Sequence, residues 1–111
     1  MEEKVWRYAV TKVPPVLRDD HERWVFEEMQ TRARGPWHAL EMRRPEFFEE
    51  MRMEFGRVEA MLDGRDWVLG KPSLAEFGIY GSISPLITIR EAIPREFSDL
   101  QAWAKRIQEL G

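Results

Sequence analysis

The chain contains no cysteine. That excludes a disulfide framework, a thiolate metal site and a thiol nucleophile from these residues. It also lacks any apolar run near the ~20 residues a bilayer span needs, and its charged opening "MEEK" is not that of a secretory signal. A dominant charge sign is missing too. Lys and Arg number 17 against 20 Asp and Glu, a net charge of −3, so no cationic stripe favours nucleic acid. There is no repeat, no low-complexity tract and no interdomain linker. A cytoplasmic setting is expected, with neither nucleic acid nor membrane as partner.

What the chain does have is helix punctuation. Its 111 residues make one domain, 1–111, able to bury roughly two thirds of its unfolded surface. "EEKVWRYAVTKV" stacks Val5, Tyr8, Ala9 and Lys12 at helical spacing and should end at Pro14-Pro15. "DDHERWVFEEMQTRAR" opens on Asp19 as N-cap with Glu22 three places on. It should bury Val25 and Met29 and stop at Gly35-Pro36. In "PEFFEEMRMEFGRVEAMLDG" the residues Phe48, Met51, Phe55, Val58 and Leu62 recur in a 3-4 rhythm, with Pro45 at the start and Gly64 at the stop. "SDLQAWAKRIQEL" puts Leu100, Trp103, Ile107 and Leu110 on one face, and only "DWVL" reads as extended.

"WVLGKPSLAEFGIYGSISP" (67–85) supplies a fifth helix. Ser73 and Glu76 have the spacing of a capping box, in which the hydroxyl accepts the Glu76 N–H and the carboxylate returns to the Ser73 N–H. Pro72 and Phe77 would close a hydrophobic staple around it, and Ser98 with Gln101 repeats the device. Gly78 and Gly81 should admit a neighbouring backbone, while Pro85 should kink the helix. The expectation is an all-α bundle of about five helices, with Ser73, Glu76, Ser98 and Gln101 as structural caps.

The stretch "WVLGKPSLAEFGIY" resembles the "L-x-G-x-x-P-S-x-A-D" pattern that opens the core helix in the C-terminal, all-helical domain of glutathione S-transferases. "IPREFSDLQAWAKRI" looks like that domain's closing helix, with Leu100, Trp103 and Arg106 in its rhythm. Residues 46 to 66 are similar to the helix leading into "ML-x-G-R-x-W". The resemblance covers 45–110, and the first 44 residues only by helix order. Glu76 stands where the family usually has Asp.

In that family a thioredoxin-like N-terminal domain binds glutathione and activates its thiol, and no such domain is read in this chain. The resemblance therefore implies a helical half that lines the electrophile pocket and much of the dimer interface, and is not catalytic by itself. Glutathione would be a cofactor only with a thioredoxin-like domain supplied. The alternative is a stand-alone protein–protein interaction or assembly module of the same fold.

Trp6, Tyr8 and Tyr80 are the substrate-pocket candidates; no residue is assigned as catalytic, cofactor-binding or metal-ligating. His21 and His38 lack close partners for a metal or base role. Glu49, Glu50 and Glu54 read as a solvated face paired with Arg52 and Arg57, and Met42, Met51, Met53 and Met61 as core filling. Without a covering domain, Trp6, Tyr8, Trp24 and Trp37 should offer apolar surface. The expected partner is a second copy, as a homodimer, or a separate thioredoxin-like domain.

Overall fold

The computed structural model of the chain describes residues 1–71 and 73–110. Among them there are six α-helices and no strand: α1 (Glu2–Ala9), α2 (Asp20–Arg34), α3 (Trp37–Met42), α4 (Arg44–Leu62), α5 (Leu74–Thr88) and α6 (Ser98–Leu110). The all-α expectation holds. α3 is the addition to the anticipated five, and "DWVL" forms bends and turns rather than an extended segment.

α1 lies against both α4 and α5, and α6 packs beside both of those helices. Val5, Val10, Phe47, Met51, Phe55, Leu62, Ile83, Leu86, Leu100 and Trp103 fill the space between them. α1 stops at Ala9, short of Val13, and tightens into a 3₁₀ turn over Val10–Lys12. Proline explains the change. Pro14 has no N–H for the Val10 carbonyl, so Val13 N–H takes that carbonyl at 3.3 Å instead.

α2 starts as its sequence requires. Asp19 Oδ1 accepts the Glu22 N–H at 2.8 Å, and Glu22 Oε2 reaches back to the Arg18 N–H at 3.1 Å. It ends at Gly35, whose φ of 103° only glycine adopts freely. The expected burial of Val25 and Met29 does not occur. α2 packs on the Pro14–Val16 turn and α3 rather than on the core helices, so none of its residues is buried and Met29 is 62% exposed.

In α4 the buried stripe runs Phe47, Met51, Phe55, Val58, Leu62. Phe47, not Phe48, enters the core, under the guanidinium groups of Arg7 and Arg43 at 5.1 and 4.8 Å from its ring centroid. Phe48 is half-buried against Tyr8, their centroids 5.4 Å apart. The helix closes on Asp63, in the left-handed region at φ 47°, one residue before Gly64. In α6 Leu100, Trp103 and Ile107 are buried as expected, whereas Leu110 is exposed.

α5 departs most from its pattern. Gly78 and Gly81 meet no neighbouring backbone; a Cβ built on either would find nothing within 4 Å. Pro85 deprives the Gly81 carbonyl of its helical partner, and Ser84 Oγ donates to that carbonyl at 2.7 Å. Pro72, half of the expected staple, lies outside the described residues, and Phe77 is exposed.

Candidate functional site

The Ser73–Glu76 pair does not form a capping box. Ser73 sits at the N-cap of α5 in extended backbone, but its side chain accepts no cap hydrogen bond and its Oγ is buried without a partner among the described residues. Glu76 is 1% exposed. Its Oε1 accepts the Leu69 N–H at 2.7 Å, and its Oε2 accepts the indole Nε1–H of Trp103 at 2.7 Å. A buried indole N–H must find an acceptor, and the side chain of Glu76 is long enough to reach it.

Ser98 and Gln101 do not form a box either. The first amide donors of α6 go to a carboxylate on α4: Asp99 N–H to Glu59 Oε1 at 3.0 Å and Leu100 N–H to Glu59 Oε2 at 2.7 Å. Asp99 Oδ2 in turn accepts the Gly64 N–H at 3.1 Å, just past the end of α4. The Gln101 amide donates to the Ile93 carbonyl. These carboxylates are engaged by the fold.

Tyr8 is buried, and its hydroxyl donates to Glu91 Oε2 at 2.7 Å. Arg44 closes the group: Nη2 donates to Glu91 Oε1 at 2.8 Å, Nε donates to the Tyr8 carbonyl at 3.0 Å, and the guanidinium lies 4.0 Å from the ring centroid. Burial, then the bond to Glu91, pushes the Tyr8 phenol up to about 12, with Arg44 opposing. Its proton is firmly held, so this tyrosine does not offer a phenolate near neutral pH.

The three pocket candidates are not brought together. Tyr8 borders a shallow hollow with Arg44, Pro45, Phe48 and Glu49. Trp6 lies in a separate depression with Glu3, Arg34 and Pro85, its ring edge-on to Phe26 at 6.2 Å. Tyr80 is tilted against Trp103 at 6.3 Å. Trp37 packs on Phe26 at 6.4 Å, and Trp24 is 60% exposed.

His21 and His38 are both exposed, on α2 and α3. Among the described residues no group of three His, Asp or Glu side chains could hold a metal ion. The acidic face of α4 is ion-paired: Glu49 with Arg52 at 3.1 Å, Glu50 with Arg7 at 2.7 Å, and Glu54 with Lys4 and Arg57, both at 2.9 Å. Of the four methionines read as core, only Met51 is buried; Met42, Met53 and Met61 are exposed.

Sequence reasoning missed three surfaces. One is the outer face of α2 at Val25 and Met29; Trp24, on the same helix, is exposed apolar surface as expected. Another is the outer face of α5, with Leu74 and Phe77 exposed beside Gly78 and Gly81. The third is a cleft of about 370 Å³ between α5 and α6, where Ile83, Leu86, Ile93 and Ala104 make an apolar floor and Lys105 stands at the lining. Composition already hinted at the α5 face, because that helix is apolar nearly all round. Nothing in the sequence hinted at the cleft, which depends on the return of the 89–97 loop. No helix among the described residues is long and apolar enough to cross a membrane.

A family described as "Domain of unknown function (DUF7962)" matches residues 9–110. The match spans nearly the whole chain, and the chain belongs to that family. No curated protein and no solved structure matches it.

Proposed function

We propose that this member of the DUF7962 family is the helical half of a glutathione-transferase-like protein, a binding and assembly domain that does not conjugate glutathione by itself. The outer face of α5 carries the reading. A helix apolar on all sides is ordinarily buried on all sides, yet α5 leaves Leu74 90% exposed, with Phe77 uncovered as well. Gly78 and Gly81, on open ground, would let a covering domain approach the backbone closely. A thioredoxin-like domain seated there would make α5 the central helix that its sequence resembles. The bond between Glu76 and Trp103 supports the same reading, since it joins the two separated segments that carry the resemblance.

In this role the chain works in the cytoplasm, and its partners are a thioredoxin-like domain and a second copy of itself. Glutathione enters with the thioredoxin-like domain, and Trp6, Tyr8 and Tyr80 contribute to the electrophile side of the assembled pocket.

The test is binding of a glutathione-transferase thioredoxin-like domain in trans, followed by calorimetry, with turnover of an aryl halide assayed before and after mixing. Binding is expected, with no turnover by the chain alone. Gly81→Leu should leave urea stability near that of the parent, because nothing lies near its Cβ, and should abolish the binding. Turnover by the chain alone, or binding indifferent to Gly81→Leu, would overturn the proposal.

A further inference from the structure

The cleft between α5 and α6 is shaped by the way the chain leaves α5. Arg90 stands at φ 61°, in the left-handed region. Its N–H returns to the Ile87 carbonyl at 3.0 Å, and the Glu91 N–H returns to the Leu86 carbonyl at 2.9 Å. This paired closure usually has glycine at its left-handed position. The loop that follows is anchored on both sides of the cleft. Glu91 is fixed to α1 and α4 by Tyr8 and Arg44, and the Ile93 carbonyl accepts the Gln101 amide of α6. Two of the lining side chains, Ala92 and Ala104, are short, and a space of about 370 Å³ stays open beside them. A wall tied down at both ends does not collapse into that space, so the cleft is preformed.

Its lining sets the chemistry. Ile83, Leu86 and Ala104 are buried, so the floor is continuous with the core. A concave apolar floor with few polar groups around it is the form of a small-molecule site, and such sites begin near ~300 Å³. Two lining residues carry charge, Glu91 and Lys105. Glu91 is already neutralised: Oε1 accepts from Arg44 at 2.8 Å, and Oε2 accepts from the Tyr8 hydroxyl at 2.7 Å. Lys105 is exposed and forms no ion pair among the described residues. The remaining polar lining residues, Gln101 and Gln108, are neutral. The unbalanced charge of the cleft is therefore positive, and it stands beside an apolar floor.

We infer that the α5–α6 cleft binds a small monocarboxylate with an apolar body, its hydrocarbon on Ile83, Leu86 and Ala104 and its carboxylate on the Lys105 ammonium. The apolar part supplies the affinity, because it leaves water for a floor that is already formed. Lys105 supplies the selectivity, favouring an acid over a neutral analogue of the same length. Helical spacing places Ile83 and Ile87 on the opposite side of α5 from Leu74, Gly78 and Gly81. The cleft is thus separate from the outer face of α5, and Trp6, Tyr8 and Tyr80 do not line it. The site stands whether or not a thioredoxin-like domain binds.

Methyl-resonance titration of the full chain with octanoate, and with octanol as the neutral probe, tests the inference. Octanoate is expected to bind with a Kd below ~1 mM and to shift the methyl signals of Ile83, Leu86, Ile93 and Ala104. Lys105→Glu should weaken octanoate at least ~5-fold while leaving octanol within about twofold of the parent. Ala92→Phe, which fills the cleft from an exposed loop position, should abolish binding of both probes. Lys105 and Ala92 are both exposed, so each variant should keep the parent's near-ultraviolet circular dichroism, which reports the buried Trp103. No octanoate binding by the parent at millimolar concentration would overturn the inference. So would binding that survives Ala92→Phe, or a Lys105→Glu loss that octanol shares equally. Shifts confined to Val25 and Met29, or to Leu74 and Phe77, would place the ligand on another apolar surface and overturn it as well.

Discussion

Trp103 and Glu76, 27 residues apart, are joined by a 2.7 Å hydrogen bond from the indole N–H to a carboxylate oxygen, and both side chains are buried. The other oxygen holds the Leu69 N–H, so this one side chain ties the 63–73 connection, α5 and α6 together. Removing it strands the buried indole N–H of Trp103 and frees the Leu69 N–H. Glu76→Ala is expected to cost about 3 kcal/mol, Glu76→Gln less because its amide oxygen still accepts. Ser73→Ala should fall within ~0.5 kcal/mol of the parent, since it deletes an oxygen that has no partner among the described residues. Urea melts of the three variants check the order; a Ser73→Ala cost above that of Glu76→Ala would return the capping box.

Glu59 is expected to act as a remote N-cap for α6. Glu59→Ala should cost about 1–2 kcal/mol, as both Asp99 and Leu100 lose their acceptor. Hydrogen exchange should quicken at those two amides before it quickens at the core of α4. Unchanged exchange there would show that another group caps the helix.

Tyr8 should give the folded chain a stability loss in strong alkali. Its phenol is pushed from 10.0 to about 12 by burial and Glu91. Between those values the unfolded chain gives up a proton that the folded chain keeps, so stability present below pH 10 declines as pH rises towards 12. Denaturant melts across this interval should show the decline, and Tyr8→Phe should flatten it. Absorbance of the folded chain should show this phenol ionising late.

Ser84 and Pro85 should be energetically coupled. The Ser84 hydroxyl serves the Gly81 carbonyl that Pro85 leaves without an N–H. Ser84→Ala is expected to cost about 0.5–1.5 kcal/mol in the parent and close to nothing in a Pro85→Ala background, where the amide returns. A double-mutant cycle reads the difference free of the packing lost with the proline ring. Additive costs would mean that the hydroxyl does not replace the missing bond.

The sequence by itself determined where α2 begins and ends and where α1 stops, because those signals are local. Asp19 with Glu22 starts α2, Gly35 stops it, and Pro14 ends α1; each acts within one turn through backbone donors and carbonyls. Spacing likewise selected most of the α4 and α6 stripes. The tertiary structure decided what those local patterns leave degenerate. Phe47 and Phe48 fit the α4 periodicity almost equally, and the placement of Arg7 and Arg43 over the ring goes with Phe47 in the core. Glu76 had a local donor at Ser73 and remote ones at Leu69 and Trp103. Only folding brings a buried indole within reach, and Glu76 takes its N–H rather than a local cap at Ser73. The candidate site was the least legible part. Trp6, Tyr8 and Tyr80 are alike as sequence symbols, yet they end in three separate surroundings, and the exposed face of α2 carries Val25 and Met29, which pattern alone assigned to the core. Whether an apolar stripe is buried depends on what lies across from it, and periodicity along one helix contains no information about its neighbour.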